Sequence, residues 1–242
     1  MMRALAISPH LDDAAFSCAG LLALLAAQEW RVEICTVFTR SMPNPQGFAL
    51  ACQLDKGLGA DVDYMALRRA EDAAACAVLR ATPVWLPFAE APHRGYHSAA
   101  ALFGRLDPSD AIQRALRPVL AAEIARAAPD LILAPQAIGG HVDHVQVVDA
   151  LRALALQTPI AWWRDYPYVA RDTTPAAPFA SVFDAMRERV IALDDAARAV
   201  RLRAMRAYAT QIGFQFGSHH ELEARVAALT QERLVTQGAW PL

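Results

Sequence analysis

Apolar residues fall along the chain in runs of two kinds, and the kinds alternate. Ala4 to Ile7, Val32 to Phe38, Val84 to Leu86, Leu131 to Ala134 and Ile160 to Trp163 are brief and apolar or alternating, as half-buried or buried strands are. Between them lie longer stretches with helical spacing. These are Phe16 to Gln28, Asp61 to Arg80, a helix capped by Ser109 or Asp110 and running to Ala128, and one from His144 to about Leu156. Strand and helix in strict alternation predict an α/β fold: a Rossmann-like open sheet, mainly parallel, with right-handed crossovers and helices on both faces. Past Trp163, Tyr166 to Pro178 reads as a Pro- and Thr-rich loop and Val190 to Leu193 as a further strand. Asp194 to Tyr208 and Glu221 to Val235 read as helices. Ser41 to Gly47 and Pro87 to Pro108 are loops, and the second is long enough to carry function. No repeat or linker divides residues 1–242, which read as a single domain whose last part, about 164–242, completes core and site.

Composition narrows the class. A chain of 242 residues that is 55% hydrophobic can bury a sizeable core. A net charge of -2 with scattered basic residues offers no footprint for nucleic acid or an anionic membrane surface. The longest later apolar run, Ala19 to Ala27, is about half of the ~20 residues that a membrane span needs. Asp12 and Asp13 interrupt the N-terminal apolar stretch before a secretory signal could form. Cys18, Cys35, Cys52 and Cys76 lack CxxC spacing and read as small, mostly buried residues in a reducing, cytoplasmic setting. No pattern dictates an oligomeric state.

The chemistry-bearing residues gather at two strand ends. Ser8-Pro9-His10-Leu11-Asp12-Asp13 follows the first apolar run, and His141-Val142-Asp143-His144 follows the fourth by a few residues. Ligands of open α/β sheets bind at the carboxyl edge of the strands, so two distant clusters can meet there. His10 and Asp13 are three apart at one turn, and His141 and His144 are three apart at the other. Two histidines and one carboxylate on a divalent cation leave a position open for water, the catalytic rather than the structural kind of zinc site. Asp12 stands beside them, available to take a proton from that water.

These residues carry a family resemblance. Pro9-His10-Leu11-Asp12-Asp13 resembles the PHPDD signature of the PIG-L/LmbE superfamily of zinc-dependent N-deacetylases, and His141-Val142-Asp143-His144 resembles its HxDH signature. Order and strand context agree over roughly Met2 to Ile160. Fainter echoes lie in Arg68-Arg69-Ala70-Glu71 and in Tyr208-Ala209-Thr210-Gln211. The resemblance implies zinc, with ferrous iron as the cellular alternative, held by His10, Asp13 and His144. It further implies Asp12 as general base and later acid, His141 as stabiliser of the oxyanion or proton donor, and Asp143 as the group that orients and charge-tunes His141. The implied substrate is a small N-acyl amino sugar, most simply an N-acetylglucosamine-type glycoside. Leu11 and Ala14 depart from the family pattern, where proline and an acidic residue are usual.

Further residues have a functional and an ordinary reading. His93, Arg94 and Tyr96, with His97, could rim a sugar cleft or simply make a polar loop. Arg68 could reach a substrate hydroxyl or phosphate, or pair with Glu71 at i, i+3. Trp162, Trp163 and Tyr166 suit core packing better than sugar stacking, and His219-His220 suits a helix cap. Two other functions compete. A nucleotide or S-adenosylmethionine binder of similar fold is disfavoured by a first turn without glycine. A noncatalytic amino-sugar-binding protein would keep the fold without turnover. Serine-hydrolase chemistry is disfavoured because no GxSxG elbow occurs.

Overall fold

The structure, a computed structural model, describes residues 1–170 and 174–241. Part of the predicted Tyr166 to Pro178 loop, residues 171–173, therefore lies outside the described residues. Seven strands form one sheet: β1 (Arg3–Ser8), β2 (Arg31–Thr36), β3 (Ala81–Trp85), β4 (Leu131–Pro135), β5 (Ile160–Trp163), β6 (Arg187–Ala192) and β7 (Gln231–Gln237). Ten α-helices occur among the described residues: α1 (Asp13–Ala27), α2 (Gly47–Leu54), α3 (Tyr64–Leu79), α4 (Ala99–Leu102), α5 (Ile112–Ala127), α6 (Val142–Ala153), α7 (Ala180–Phe183), α8 (Asp195–Arg206), α9 (Ala209–Phe216) and α10 (His219–Ala227).

The strand order is β3-β2-β1-β4-β5-β7-β6. The first five strands are parallel, with Ala4 opposite both Val32 and Leu131 across the central pairs. β5–β7 and β7–β6 are antiparallel. The chain winds outward from β1 through β2 to β3, then returns to the other side of β1 for β4 and β5. The carboxyl ends of β1 and β4 therefore flank the point where the winding reverses, which is where an open α/β sheet has its crevice.

Successive strand residues face opposite layers. Leu5 and Ile7 pack with Leu116 and Leu120 of α5 and Val147, Val148 and Leu151 of α6. Ala4 and Ala6 pack with Leu21, Leu22 and Leu25 of α1, Leu79 of α3 and Ala204 of α8. Burial on both faces explains why these parallel strands read as continuous apolar runs. Trp162 and Trp163 are buried in the two opposite layers, so both belong to the core. A third cluster joins Phe16 to Met205, Tyr208, Ile212 and Phe216, tying α1 to the C-terminal helices. All four cysteines are free, three of them buried, and no helix is long and apolar enough to cross a membrane among the described residues.

Several boundaries move for physical reasons. Asp63, rather than Asp61, caps α3 by accepting from the Ala66 N–H. α5 begins at Ile112, whose N–H donates to the Asp110 carboxylate (3.2 Å) while Arg94 and Tyr96 hold the same carboxylate. α6 begins before His144, with His141 at its cap. Asp194 caps α8 as its position suggests, while Ser218, not a histidine, caps α10. The predicted helix Glu221 to Val235 divides into α10 and strand β7, whose buried face carries Glu232, Leu234 and Thr236. α2, α4, α7 and α9 lie where no element was expected.

Candidate active site

The turn after β1 is closed by its own residues. Ser8 Oγ donates to the His10 carbonyl (2.7 Å) and accepts from the Ala14 N–H (3.1 Å). The His10 N–H donates to Asp13 Oδ2 (2.8 Å), so the carboxylate that opens α1 also shapes the turn before it. Leu11 and Ala14 are buried, and neither lines the cavity described below. Position 14 sits in the apolar layer under the turn, where a carboxylate would lose its water. The turn after β4 passes through Gly139 at φ +101°, where a Cβ would lie 2.6 Å from the Tyr168 ring. Glycine there lets the strand-to-α6 connection run against the tyrosine.

The two turns bring six of the predicted residues together. Asp13 Oδ2 lies 3.3 Å from His10 Nδ1 and 3.2 Å from His144 Nε2. The far nitrogen of each ring is held by a carboxylate: His10 Nε2 by Asp143 Oδ2 and His144 Nδ1 by Asp165 Oδ1, both at 2.9 Å. His144 Nε2 is buried without a hydrogen-bond partner, its approach to Asp13 lacking hydrogen-bonding geometry. An orphaned imidazole nitrogen facing a second imidazole and a carboxylate, with both rings oriented from behind by acids, is a donor set that fits a divalent cation.

His141 is also close, its candidate ligand atom within 4.8 Å of those of His10 and His144. Its Nδ1, however, accepts from the Asp143 N–H (3.2 Å). A neutral imidazole has one lone pair, so Nε2 carries the proton and is a donor rather than a ligand. Burial, and then the charge of His10, push the His141 pKa down to about 3, which keeps the ring neutral.

Asp143 corrects one expectation. Its carboxylate does not touch the His141 ring; it takes His10 Nε2, the Ala91 N–H (3.1 Å) and Arg94 Nη2 (2.7 Å). Its backbone N–H orients the His141 ring, and its charge acts on that ring without contact, opposing the fall of the His141 pKa. Arg94 and Tyr96 correct another: neither lines the cavity. Arg94 bridges Asp143 and Asp110 behind the centre, and Tyr96, buried, donates to Asp110. His93 faces a separate small pocket beside Met42 and Pro92. Of the predicted substrate-binding residues, Arg68 alone lines the central cavity.

Arg68 does not pair with Glu71. It reaches Asp12 Oδ1 (3.2 Å) and Glu90 Oε1 (2.6 Å). Glu71 turns to α9, where it accepts from the N–H and hydroxyl of Thr210, while Tyr208 donates to Asp72 and Gln211 to the Tyr64 hydroxyl. The two faint motif echoes thus bind each other, fixing α3 and with it Arg68. Burial raises the Asp12 pKa to about 6 although the Arg68 guanidinium opposes it. Asp13 is held well below the usual carboxylate range, because the charges of His144 and His10 outweigh its burial. Burial alone would lower His10, but hydrogen bonds to Asp13 and Asp143 raise it to about 9. A cation at this point would displace those protons.

The sequence reading missed Asp165, Glu90, Tyr168 and Lys56. Asp165 had a usable signal, since it lies two residues past a parallel strand at the carboxyl edge. Together these elements enclose a cavity of about 240 Å³ reaching from His10, Asp12, Asp13 and His141 outward past Phe103 and Phe214.

Imidazoles and carboxylates thus gather at the switch point of an open α/β sheet as a donor set that fits a divalent cation, and comparison with known proteins gives the family. The family model described as GlcNAc-PI de-N-acetylase, PIG-L, matches residues 5–155, and the chain belongs to that family. It is 35% identical over 195 residues to the 2'-N-acetylparomamine deacetylase of Streptomyces fradiae, covering 74% of this chain and 66% of that one. Among solved structures it resembles the A40926 pseudoaglycone deacetylase (TM-score 0.79, 30% identity, covering 100% of this chain and 99% of that one). The zinc-inhibited form of teicoplanin deacetylase matches in fold (TM-score 0.82, 24% identity, 100% of both chains).

Proposed function

We propose that the protein is a divalent-metal-dependent hydrolase that removes the N-acetyl group from an N-acetylglucosamine-type unit, leaving a free amine and acetate. The observation that carries this is the buried, unpartnered Nε2 of His144 facing His10 Nδ1 and Asp13 Oδ2, with Asp12 on the same cavity wall. The deacetylase relatives support the reaction and the amino-sugar class.

His10, Asp13 and His144 would hold zinc or ferrous iron, and the cation would supply Lewis acidity, lowering the pKa of water from 15.7 toward about 7. Asp12, held by Arg68 and not shared with His10 or His144, takes the proton of the attacking water and returns it to the departing amine. Arg68 fixes the direction of that carboxylate. His141 donates from Nε2 to the amide oxygen as it gains charge. Asp143 and Asp165 keep His10 and His144 turned toward the centre.

The test is a panel of N-acetylglucosaminides with paired amine and acetate readouts, using apo-protein and protein loaded with one equivalent of zinc, cobalt or anaerobic ferrous iron. Metal-dependent, equimolar release is expected. Equal release by apo-protein, or none by any loaded form, overturns the proposal. Replacing the support of one ligand gives a second check: Asp165→Asn is expected to weaken metal binding by about 10–100-fold, read by competition with a chromophoric chelator. An unchanged affinity would mean that His144 is not a ligand.

A further inference from the structure

Lys56 is the only lysine in a chain with 23 Lys and Arg residues, and it lies on the wall of the central cavity. It is half-buried, just past the end of α2. Its ammonium donates to the Cys52 carbonyl (2.9 Å) and stands 4.7 Å from the Phe214 ring centre and 5.5 Å from that of Tyr64. An ammonium has three donors, so two are left, and no carboxylate pairs with it among the described residues. The contrast with Arg68 on the same wall is plain, because Arg68 is neutralised by both Asp12 and Glu90. Asp55 shares the wall but is exposed to solvent. Burial, and after it the charge of Arg68, act against the Lys56 cation. An incoming anion would relieve both.

The surroundings say where that anion sits on a substrate. Asp12, Asp13 and His141 line the cavity together with Phe48, Phe103 and Phe214; the Phe103 ring packs against His141, 5.3 Å between ring centres, and the Phe214 ring lies beside Lys56. Phe103 and Phe214 are 43% and 61% exposed, so the rim is open to a group larger than a sugar. We infer that Lys56 is a specificity-determining residue that receives an anionic group, a carboxylate or a phosphate, on the portion of the substrate attached to the N-acetylated sugar. The identity of the sugar rests on the deacetylase reading. The anion subsite rests on Lys56 and its aromatic neighbours.

One measurement needs no turnover. Reductive methylation with isotope-labelled formaldehyde keeps the charge and marks one lysine plus the N-terminal amine, so dimethyl-Lys56 gives a single lysine-type resonance. The para-carboxyphenyl and para-phosphoryloxyphenyl N-acetylglucosaminides are expected to shift it saturably, and the neutral phenyl glycoside to leave it in place. The relative affinities of the two acids tell which anion the subsite prefers. In metal-loaded protein, Lys56→Gln is expected to lower the acidic-to-neutral ratio of kcat/KM by about tenfold or more, chiefly through KM, as loss of a charge-assisted hydrogen bond does. Lys56→Arg should restore part of the preference. Equal shifts by acidic and neutral glycosides, no shift by either acid, or an unchanged ratio in Lys56→Gln overturns the inference. If no glycoside releases amine, the deacetylase reading fails, while the resonance still decides the subsite.

Discussion

Asp12→Asn protein, loaded with metal to the same stoichiometry as its parent, is expected to hydrolyse the amide about 10²–10⁴-fold more slowly, the range that a positioned proton carrier contributes. Asparagine keeps the shape of the side chain but cannot take a proton from water. The substitution should spare the fold, because the Asp12 side chain makes no capping bond to α1 and Arg68 retains Glu90. It should spare metal binding too, because Asp13 rather than Asp12 lies against His10 and His144. The loss should fall on kcat rather than KM, since proton transfer acts in the transition state. Steady-state kinetics on protein of verified metal content decide it. A rate within threefold of the parent would remove Asp12 from the proposed chemistry and turn attention to Glu90, the other cavity carboxylate paired with Arg68.

Glu232→Ala is expected to cost about 3–5 kcal/mol of folding stability, the range for breaking a buried ion pair from one side. Helix α1 is broken at Cys18, which has non-helical dihedrals (φ −141°, ψ 21°). Glu232 receives the N–H groups of Gly20 and Leu21, both at 2.8 Å, and the guanidinium of Arg201 at 3.1 Å. Arg201 reaches across the break to the Phe16 carbonyl (2.8 Å). Gly20 is required by the same contact, since a Cβ there would lie 2.6 Å from Leu193 and 2.8 Å from the Glu232 carboxylate. Alanine at 232 would strand a buried guanidinium and two amides. Urea unfolding followed by circular dichroism measures the loss. A change under about 1 kcal/mol, the scale of an exposed pair, would show that water fills the gap.

Where hydrophobic pattern alone decides structure, the sequence was easy to read. β1, β2, β4 and β5 are buried on both faces, so their apolar runs mark them directly. β7 defeated that reading because its buried face alternates correctly but carries Glu232 and Thr236 around Leu234. Partners distant in sequence, not hydrophobicity, make that burial acceptable. α2 and α9 are short segments that become helical under tertiary contacts, and they bring Phe48 and Phe214 to the cavity. The site divides the same way. His10, Asp12, Asp13, His141 and His144 follow from two turns at adjacent strand ends. The division of labour behind them, with Asp143 serving His10 and Asp165 serving His144, depends on ring orientations that spacing does not specify. Arg94 and Tyr96 look like surface recognition groups in a polar loop, yet Asp110 and Asp143 draw them inward.

The carboxylate that mends α1 belongs to a strand 212 residues further along the chain. A nascent polypeptide stalled on the ribosome before position 232 would already contain every motif residue, from His10 to His144. Its first helix would still lack the clamp joining the segment that bears Asp12 and Asp13 to the segment packed on the sheet. Maturation of the centre therefore waits on the synthesis of β7, and contacts of such long range predict slow folding.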